Sequence, residues 1–264
     1  MNKTILILTA MAVLAITLYS STIHATNNPK LTHTISTAIG TNVNDTTGFV
    51  LIELFTSEGC SSCPPADNLI NKLAAENRKN VFILSYHVDY WNRLGWKDKY
   101  SQPEYSTIQS NYANYFNKDG VYTPQIVVNG KSEFVGSDKV KLYSAINTTV
   151  TSTYTSPIQL SATTNNNNVV VNYQVNTNMA GTLTIALVQL AATTQVTRGE
   201  NDGSTLQHTN IVTAIKPLPV SNTAKEINFS LASIEKFTPP NYTIIAFVQN
   251  TKGEVTAVTE SIIK

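Results

Sequence analysis

Leu51-Ile52-Glu53-Leu54-Phe55-Thr56-Ser57-Glu58-Gly59-Cys60-Ser61-Ser62-Cys63-Pro64-Pro65-Ala66 decides the reading of this chain. It holds the only two cysteines among 264 residues. An apolar run of strand length precedes the pair and a helix-like run follows it. Two thiols spaced by one helical turn form and break a disulfide at little geometric cost. Cys60 is expected as an exposed nucleophile at the helix N-terminus, where free N–H groups and the helix dipole favour a thiolate. Cys63, one turn later, is expected on the inner side as the resolving thiol. As a staple, so small a loop contributes only about 2 kcal/mol. A chain of this length buries a core without it, so the pair reads as a redox tool or a ligand before it reads as a structural link.

Working outward, Phe49–Phe55 is a short apolar run of the kind a buried strand needs. Pro64 and Pro65 suit a first helical turn, and Leu69, Ile70, Leu73 and Ala74 recur at helical spacing to about Arg78. Val81–Tyr86 is a second buried strand. A helix is expected over Pro103–Phe116. Gln125–Val128 and Lys131–Val135 flank Asn129-Gly130, a strong hairpin signal. Ser137 or Asp138 caps a last helix to about Thr148. The order is β-α-β-α-β-β-α. The first two strands, joined by a helical crossover, should be parallel, and the last two should form an antiparallel hairpin. This is a thioredoxin-like α/β order over residues 48–150.

Beyond about Thr155 the texture changes. Alternating runs stand at Ile158–Ala162, Val169–Val175, Leu183–Leu190, Ile211–Ile215, Ile227–Phe229, Tyr242–Val248 and Val255–Ile262, separated by Asn, Thr and Gly. Residues 155–264 are therefore expected as a β-rich, sandwich-like C-terminal domain. At the other end, residues 1–25 have Lys3 followed by an apolar stretch from Ile5 to Tyr19, the layout of a signal peptide. That stretch is about 15 residues, against the roughly 20 a bilayer crossing takes. Cleavage near Ala25 leaves no stable membrane anchor. Residues 26–47, rich in Asn and Thr, read as a flexible segment. Export, to a periplasmic or extracellular location, is the compartment in which a disulfide persists. The 18 Lys and Arg stand against 17 Asp and Glu with no basic cluster, which gives no footprint for nucleic acid.

Further residues carry candidate chemistry. In thioredoxin-like proteins a cis-proline just before the third strand faces the disulfide and guides substrate, and Pro124 is placed to be that residue; a trans-proline at a strand start is the alternative. Glu53 lies in an apolar run, where an acid is costly unless it has a task or a partner. It is either a proton acceptor for Cys63 with a raised pKa or a residue facing a polar neighbour at a strand edge. His87 follows the second strand and either approaches the cysteines or is satisfied inside an aromatic loop. Thr123, Trp91 and Trp96 are candidates for substrate contact, with aromatic packing over the core as the alternative for the tryptophans. Arg198–Asn210 is the most chemically varied loop of the C-terminal half. It either folds back to the redox face or, as expected of most such loops, forms a surface hairpin.

Glu53–Asp67, Tyr86–Trp91, Leu94–Asp98, Tyr122–Gln125 and Gly199–Asn201 with Leu206 and His208 resemble the signature of DUF1223, an uncharacterised family of secreted thioredoxin-like proteins. The resemblance runs from about Phe49 to Lys264. It implies a thioredoxin fold followed by a β-rich region in an exported protein, and it implies no established substrate. Ser61-Ser62 departs from the dipeptides of better-known oxidoreductases, and Gly59 replaces the aromatic that usually precedes the first cysteine. The leading expectation is an exported thiol–disulfide oxidoreductase acting on protein or small-molecule thiols and disulfides, with Cys60, Cys63, Pro124 and Glu53 as its machinery and no cofactor. One alternative is a Cu(I)-binding module or carrier using Cys60, Cys63 and His87. Another is an interaction protein with a structural disulfide.

Overall fold

Val50–Thr56 forms β1, and all seven residues are buried, because helices cover both faces of the strand. The computed structural model describes residues 48–150, 153–176 and 178–264. The expected signal segment 1–25 and flexible segment 26–47 lie outside the described residues. Pro64–Ala75 forms α1, with Pro64 and Pro65 in the first turn, where a missing N–H costs no intrahelical bond. Then come β2 (Val81–His87), α2 (Pro103–Tyr115), β3 (Gln125–Val128), β4 (Ser132–Val135) and α3 (Lys139–Thr149). Asp138 caps α3 by accepting from the Lys141 N–H. β1 and β2 are parallel, β3 runs antiparallel to β1, and β3 and β4 form the expected hairpin.

The remaining strands are β5 (Ile158–Asn165), β6 (Asn168–Val175), β7 (Thr182–Gln195), β8 (Thr205–Pro219), β9 (Lys225–Ser230), β10 (Tyr242–Gln249) and β11 (Val255–Ile262). Each alternating run becomes one of them. β8 starts six residues before the Ile211–Ile215 run, because its first stretch is mostly polar and only Leu206 and His208 turn inward. Among the described residues, no helix is long and apolar enough to cross a membrane.

The architecture is mixed α/β with one large sheet and a second, smaller one. The large sheet has the order β11-β10-β7-β8-β2-β1-β3-β4, and the small one β5-β6-β9. Strand alternation assigns the faces. Val50, Ile52 and Leu54 of β1 pack against Leu69, Ile70 and Leu73 of α1 and Leu142 and Ile146 of α3. Phe49, Leu51 and Phe55 point the other way, to Tyr105 and Tyr112 of α2. Farther along, Leu183, Ile185 and Leu187 of β7 and Ile244, Ala246 and Val248 of β10 meet Val169 and Val171 of β6 and Phe229 of β9. Here the small sheet packs on the large one. The boundary expected between residues 150 and 155 does not divide the core, however. β8 lies parallel to β2, one sheet contains strands from both sides, and the core beneath α2 draws Ala186, Val188, Ile245 and Phe247 from the C-terminal half.

A second seam ties the halves. Asn129 and Gly130 turn the β3–β4 hairpin with φ of 51° and 64°, the positive-φ pair a tight hairpin requires. The Asn129 side chain accepts from Leu51 N–H at 2.6 Å and donates to the Phe49 carbonyl. Its own carbonyl accepts from Val255 N–H at 2.8 Å. A methyl on Gly130 would sit 1.8 Å from the Gly253 carbonyl oxygen. Gly130→Ala is therefore expected to cost about 2–4 kcal/mol, measured by urea unfolding beside the wild type. A loss under a few tenths would show that the seam adjusts freely.

Candidate functional site

The end of β1 turns directly into the cysteine pair. Cys60 N–H donates to the Ser57 carbonyl and Cys63 N–H to the Cys60 carbonyl, each at 3.2 Å. These turns bring the Cα atoms of Cys60 and Cys63 to 5.4 Å, and the two form a disulfide. Helix α1 begins at Pro64 with Cys63 as its N-cap. Cys60 thus lies in the turn ahead of the helix and not at its N-terminus as expected. Nor is it exposed. Both cysteines have 0 % of their surface accessible, while Ser61 and Ser62 between them face solvent.

The Thr123–Pro124 peptide is cis. Thr123 Oγ1 donates to Cys60 Sγ at 3.2 Å and accepts from Trp91 Nε1 at 2.8 Å. Ser62 Oγ lies 3.3 Å from both Cys60 Sγ and the Thr123 carbonyl, and gives its single hydrogen to one of them. An indole and a hydroxyl thus form a chain of donors that ends on the sulfur as acceptor. In the dithiol state the same hydroxyl would stabilise a thiolate on Cys60. A Cβ on Gly59 would stand 3.2 Å from Trp91 Cβ. Trp91 covers the ground beside the disulfide, which explains why residue 59 has no side chain. Trp96 instead donates through Nε1 to Glu58 Oε2 at 2.8 Å, so its role is to hold Glu58.

Residues 198–210 were expected as a surface hairpin and instead cover the site. Asn201 Nδ2 reaches the carbonyls of Glu58 and Cys60 at 2.9 and 3.0 Å. Glu200 Oε2 accepts from Ser61 N–H and Ser61 Oγ. Gly199, at φ of 76°, lets the backbone lie over Trp96, where a Cβ would approach Trp96 Cβ at 3.1 Å. The sequence signal for a buried role was present in the alternation of Leu206 and His208. The signal for Glu200 and Asn201 as a cover was not, since it depends on contacts about 140 residues apart in sequence.

Beneath the disulfide lies a buried ionic group. His208, from β8, stands with Nε2 3.3 Å from Glu58 Oε1 and Nδ1 3.9 Å from Asp67 Oδ1, at ion-pair distances without the alignment of a hydrogen bond. Burial alone would push this imidazole down, but the carboxylates of Asp67 and Glu58 outweigh it and hold the pKa up at about 9. Asp67 also accepts from Thr56 Oγ1, and its own N–H donates to the Cys63 carbonyl. His87 Nδ1 pairs with Asp98 Oδ2 at 2.7 Å. Burial raises the Asp98 carboxyl, but the His87 charge and hydrogen bond and the N–H groups of Glu58 and Tyr100 bring it below the usual range. The His87 and His208 rings meet edge to face with centroids 4.8 Å apart, and Tyr100 abuts both.

Two expectations are corrected by this geometry. Glu53 is not the proton acceptor for Cys63. It shares the α2 face of β1 with Leu51 and Phe55 and takes a hydrogen bond from Tyr112, whereas Cys63 caps α1 on the opposite face. Burial pushes its carboxyl up to about 7, against the lowering effect of the Tyr112 and Tyr86 hydroxyls. The ligand set Cys60, Cys63 and His87 is not assembled either. His87 is committed to Asp98, Tyr100 and His208, and among the described residues no group of three or more His, Cys, Asp and Glu side chains is arranged to hold a metal ion.

The fold and the site thus define a mixed α/β protein with a covered disulfide at a strand–helix junction. The chain belongs to the family described as "Protein of unknown function (DUF1223)", which matches residues 51–249. No curated protein matches it. Among solved structures, a protein from Agrobacterium tumefaciens is similar at 23% identity and a TM-score of 0.59, over 81% of this chain and 93% of that one. That likeness shows the fold. A domain of the outer membrane lipoprotein Omp28 from Porphyromonas gingivalis is similar at 15% identity and a TM-score of 0.26, over 42% of this chain and 94% of that domain.

Proposed function

We propose that the protein is an exported thiol–disulfide oxidoreductase, with Cys60 as the attacking sulfur and Cys63 as the resolving one. The observation that carries this reading is the Cys60–Cys63 disulfide set against the cis Thr123–Pro124 peptide, with a hydroxyl donor 3.2 Å from Cys60 Sγ. The order β-α-β-α-β-β-α, with β1 and β2 parallel and a β3–β4 hairpin beyond β1, supports a thioredoxin-like region around the pair. An oxidised pair is in keeping with a periplasmic or extracellular setting.

The exchange balances without a cofactor. In the dithiol state the Cys60 thiolate attacks one sulfur of a substrate disulfide, forming a mixed disulfide and releasing one substrate thiolate. Cys63 then loses its proton and attacks Cys60 Sγ, and the second substrate thiolate leaves. The substrate gains two electrons and the protein becomes the disulfide seen here. The reverse sequence moves two electrons from a substrate dithiol to the protein. Protein or small-molecule thiols and disulfides are the partners, and Thr123, Pro124 and Trp91 are the residues beside the reacting sulfur.

One observation favours a second reading. Cys60 is inaccessible, as a structural disulfide in an interaction protein would be. Equilibration of the full protein in glutathione redox buffers separates the two. A reversible two-electron couple near or above about −230 mV supports exchange. A couple below about −300 mV identifies a structural link.

A further inference from the structure

The two carboxylates that bracket the cysteine pair are both buried. Glu58 stands two residues before Cys60 and Asp67 four residues after Cys63, with 0 % and 7 % of their surface accessible. Two such charges a few residues from a nascent thiolate oppose it strongly in a medium of low polarity. Among the described residues, one side chain stands within ion-pair distance of both. His208, 3 % exposed, enters from β8 and lies within ion-pair distance of each. The remaining ionisable groups around its ring are His87 from β2, with Asp98 behind it, and Tyr100. Asn71 of α1 also holds the β8 backbone by donating to the Gln207 carbonyl at 3.0 Å, so the imidazole is delivered by a strand fixed to the motif's own helix.

We propose that His208 is a positioning residue for the Cys60–Cys63 couple: it clamps Glu58 to Asp67 across the motif, and its positive charge offsets theirs when a thiolate forms on Cys60. The proposal rests on the exchange reading above. It gives the C-terminal half a chemical task, since the charge that makes the cysteine reactive comes from a strand absent from the first 150 residues. The raised pKa of His208 keeps that charge present through neutral pH.

The test is the titration of Cys60 by thiolate absorbance in the full protein, in a Cys63→Ser background so that one thiol titrates. His208→Gln is expected to raise the Cys60 pKa by about one unit, which cuts the thiolate fraction near neutrality about tenfold. Glu58→Gln and Asp67→Asn, which remove negative charge, are expected to lower it. A folded His208→Gln protein with unchanged Cys60 titration would overturn the proposal, leaving His208 a packing role. If His208→Gln does not fold, the other two variants decide, and the absence of a downward shift in both overturns it. The wild-type potential separately judges the exchange reading: a structural-range couple sinks that reading, whereas a normal couple with unmoved titrations sinks the clamp alone.

Discussion

Cys63→Ser is expected to accumulate a stable mixed disulfide by attack of Cys60 on a substrate disulfide, one substrate thiolate leaving, whereas Cys60→Ser yields none. The asymmetry follows from the surroundings of the two sulfurs. Thr123 Oγ1 and Ser62 Oγ both address Cys60 Sγ, so the thiolate is stabilised there. Cys63 caps α1 and is bonded to Cys60. Loss of either cysteine removes two-electron exchange altogether, an effect of three orders of magnitude or more by analogy with loss of a nucleophile, at roughly 10³-fold or above. Trapping also requires the cover to move, because Cys60 is fully enclosed. Asn201→Ala deletes the two hydrogen bonds that hold the 198–203 turn to the Glu58 and Cys60 carbonyls, a loss of about 1–3 kcal/mol. In the Cys63→Ser background it is expected to speed trapping several-fold. Mass spectrometry after exposure to a disulfide-bonded peptide reads all three variants. Equal trapping by Cys60→Ser and Cys63→Ser would overturn the assignment, preferential trapping by Cys60→Ser would reverse it, and a rate unmoved by Asn201→Ala would show that the cover does not gate access.

Raising the pH from about 5 to 9 is expected to remove much of the protein's stability in two steps. Glu53 is wholly buried, and its pKa is about 7 against an ordinary 4.5. Its folded pKa is raised, so its contribution is full below 4.5 and is lost as the pH climbs through 7. His208 is raised in the same sense, from 6.5 to about 9, so its contribution is full below 6.5 and is lost through 9. Each shift corresponds to about 3 kcal/mol, comparable with a large part of a domain's net stability. Asp98, whose carboxyl is held low, loses its contribution only on the acid side. Stability should therefore peak on the mildly acidic side of neutrality. Glu53→Gln, still able to accept from Tyr112, should flatten the first step. Thermal unfolding across the pH range checks this, and a wild-type curve flat from 5 to 7, or a Glu53→Gln curve as steep as the wild type's, would contradict it.

Much of this fold was legible because its elements obey simple periods. β1 and β2 are largely apolar runs, α1 repeats at helical spacing behind two prolines, and Asn129-Gly130 marks the hairpin. The seven strands after residue 155 show as alternations. Pro124 was placed by its position before β3. What failed to show are facts about faces and distant neighbours. β1 is apolar on both sides, so alternation groups Glu53 with Leu51 and Phe55 without saying that α1 lies on the other face. His208 sits in a stretch where only Leu206 and His208 alternate inward, and a polar residue at an inward position reads as an interruption. The enclosure of Cys60 depends on Glu200 and Asn201, whose approach is fixed only when β8 docks beside β2.

The docking of β8 against β2 makes the cysteine segment a poor candidate for transplantation. An excised fragment ending near residue 150 would carry every residue of the motif and its cis peptide. It would also present β2 as a bare edge, open to pairing with any other chain, and it would arrive without the residues that seal and electrically balance the sulfurs. Whoever borrows this cysteine pair for another scaffold must borrow the far strand as well.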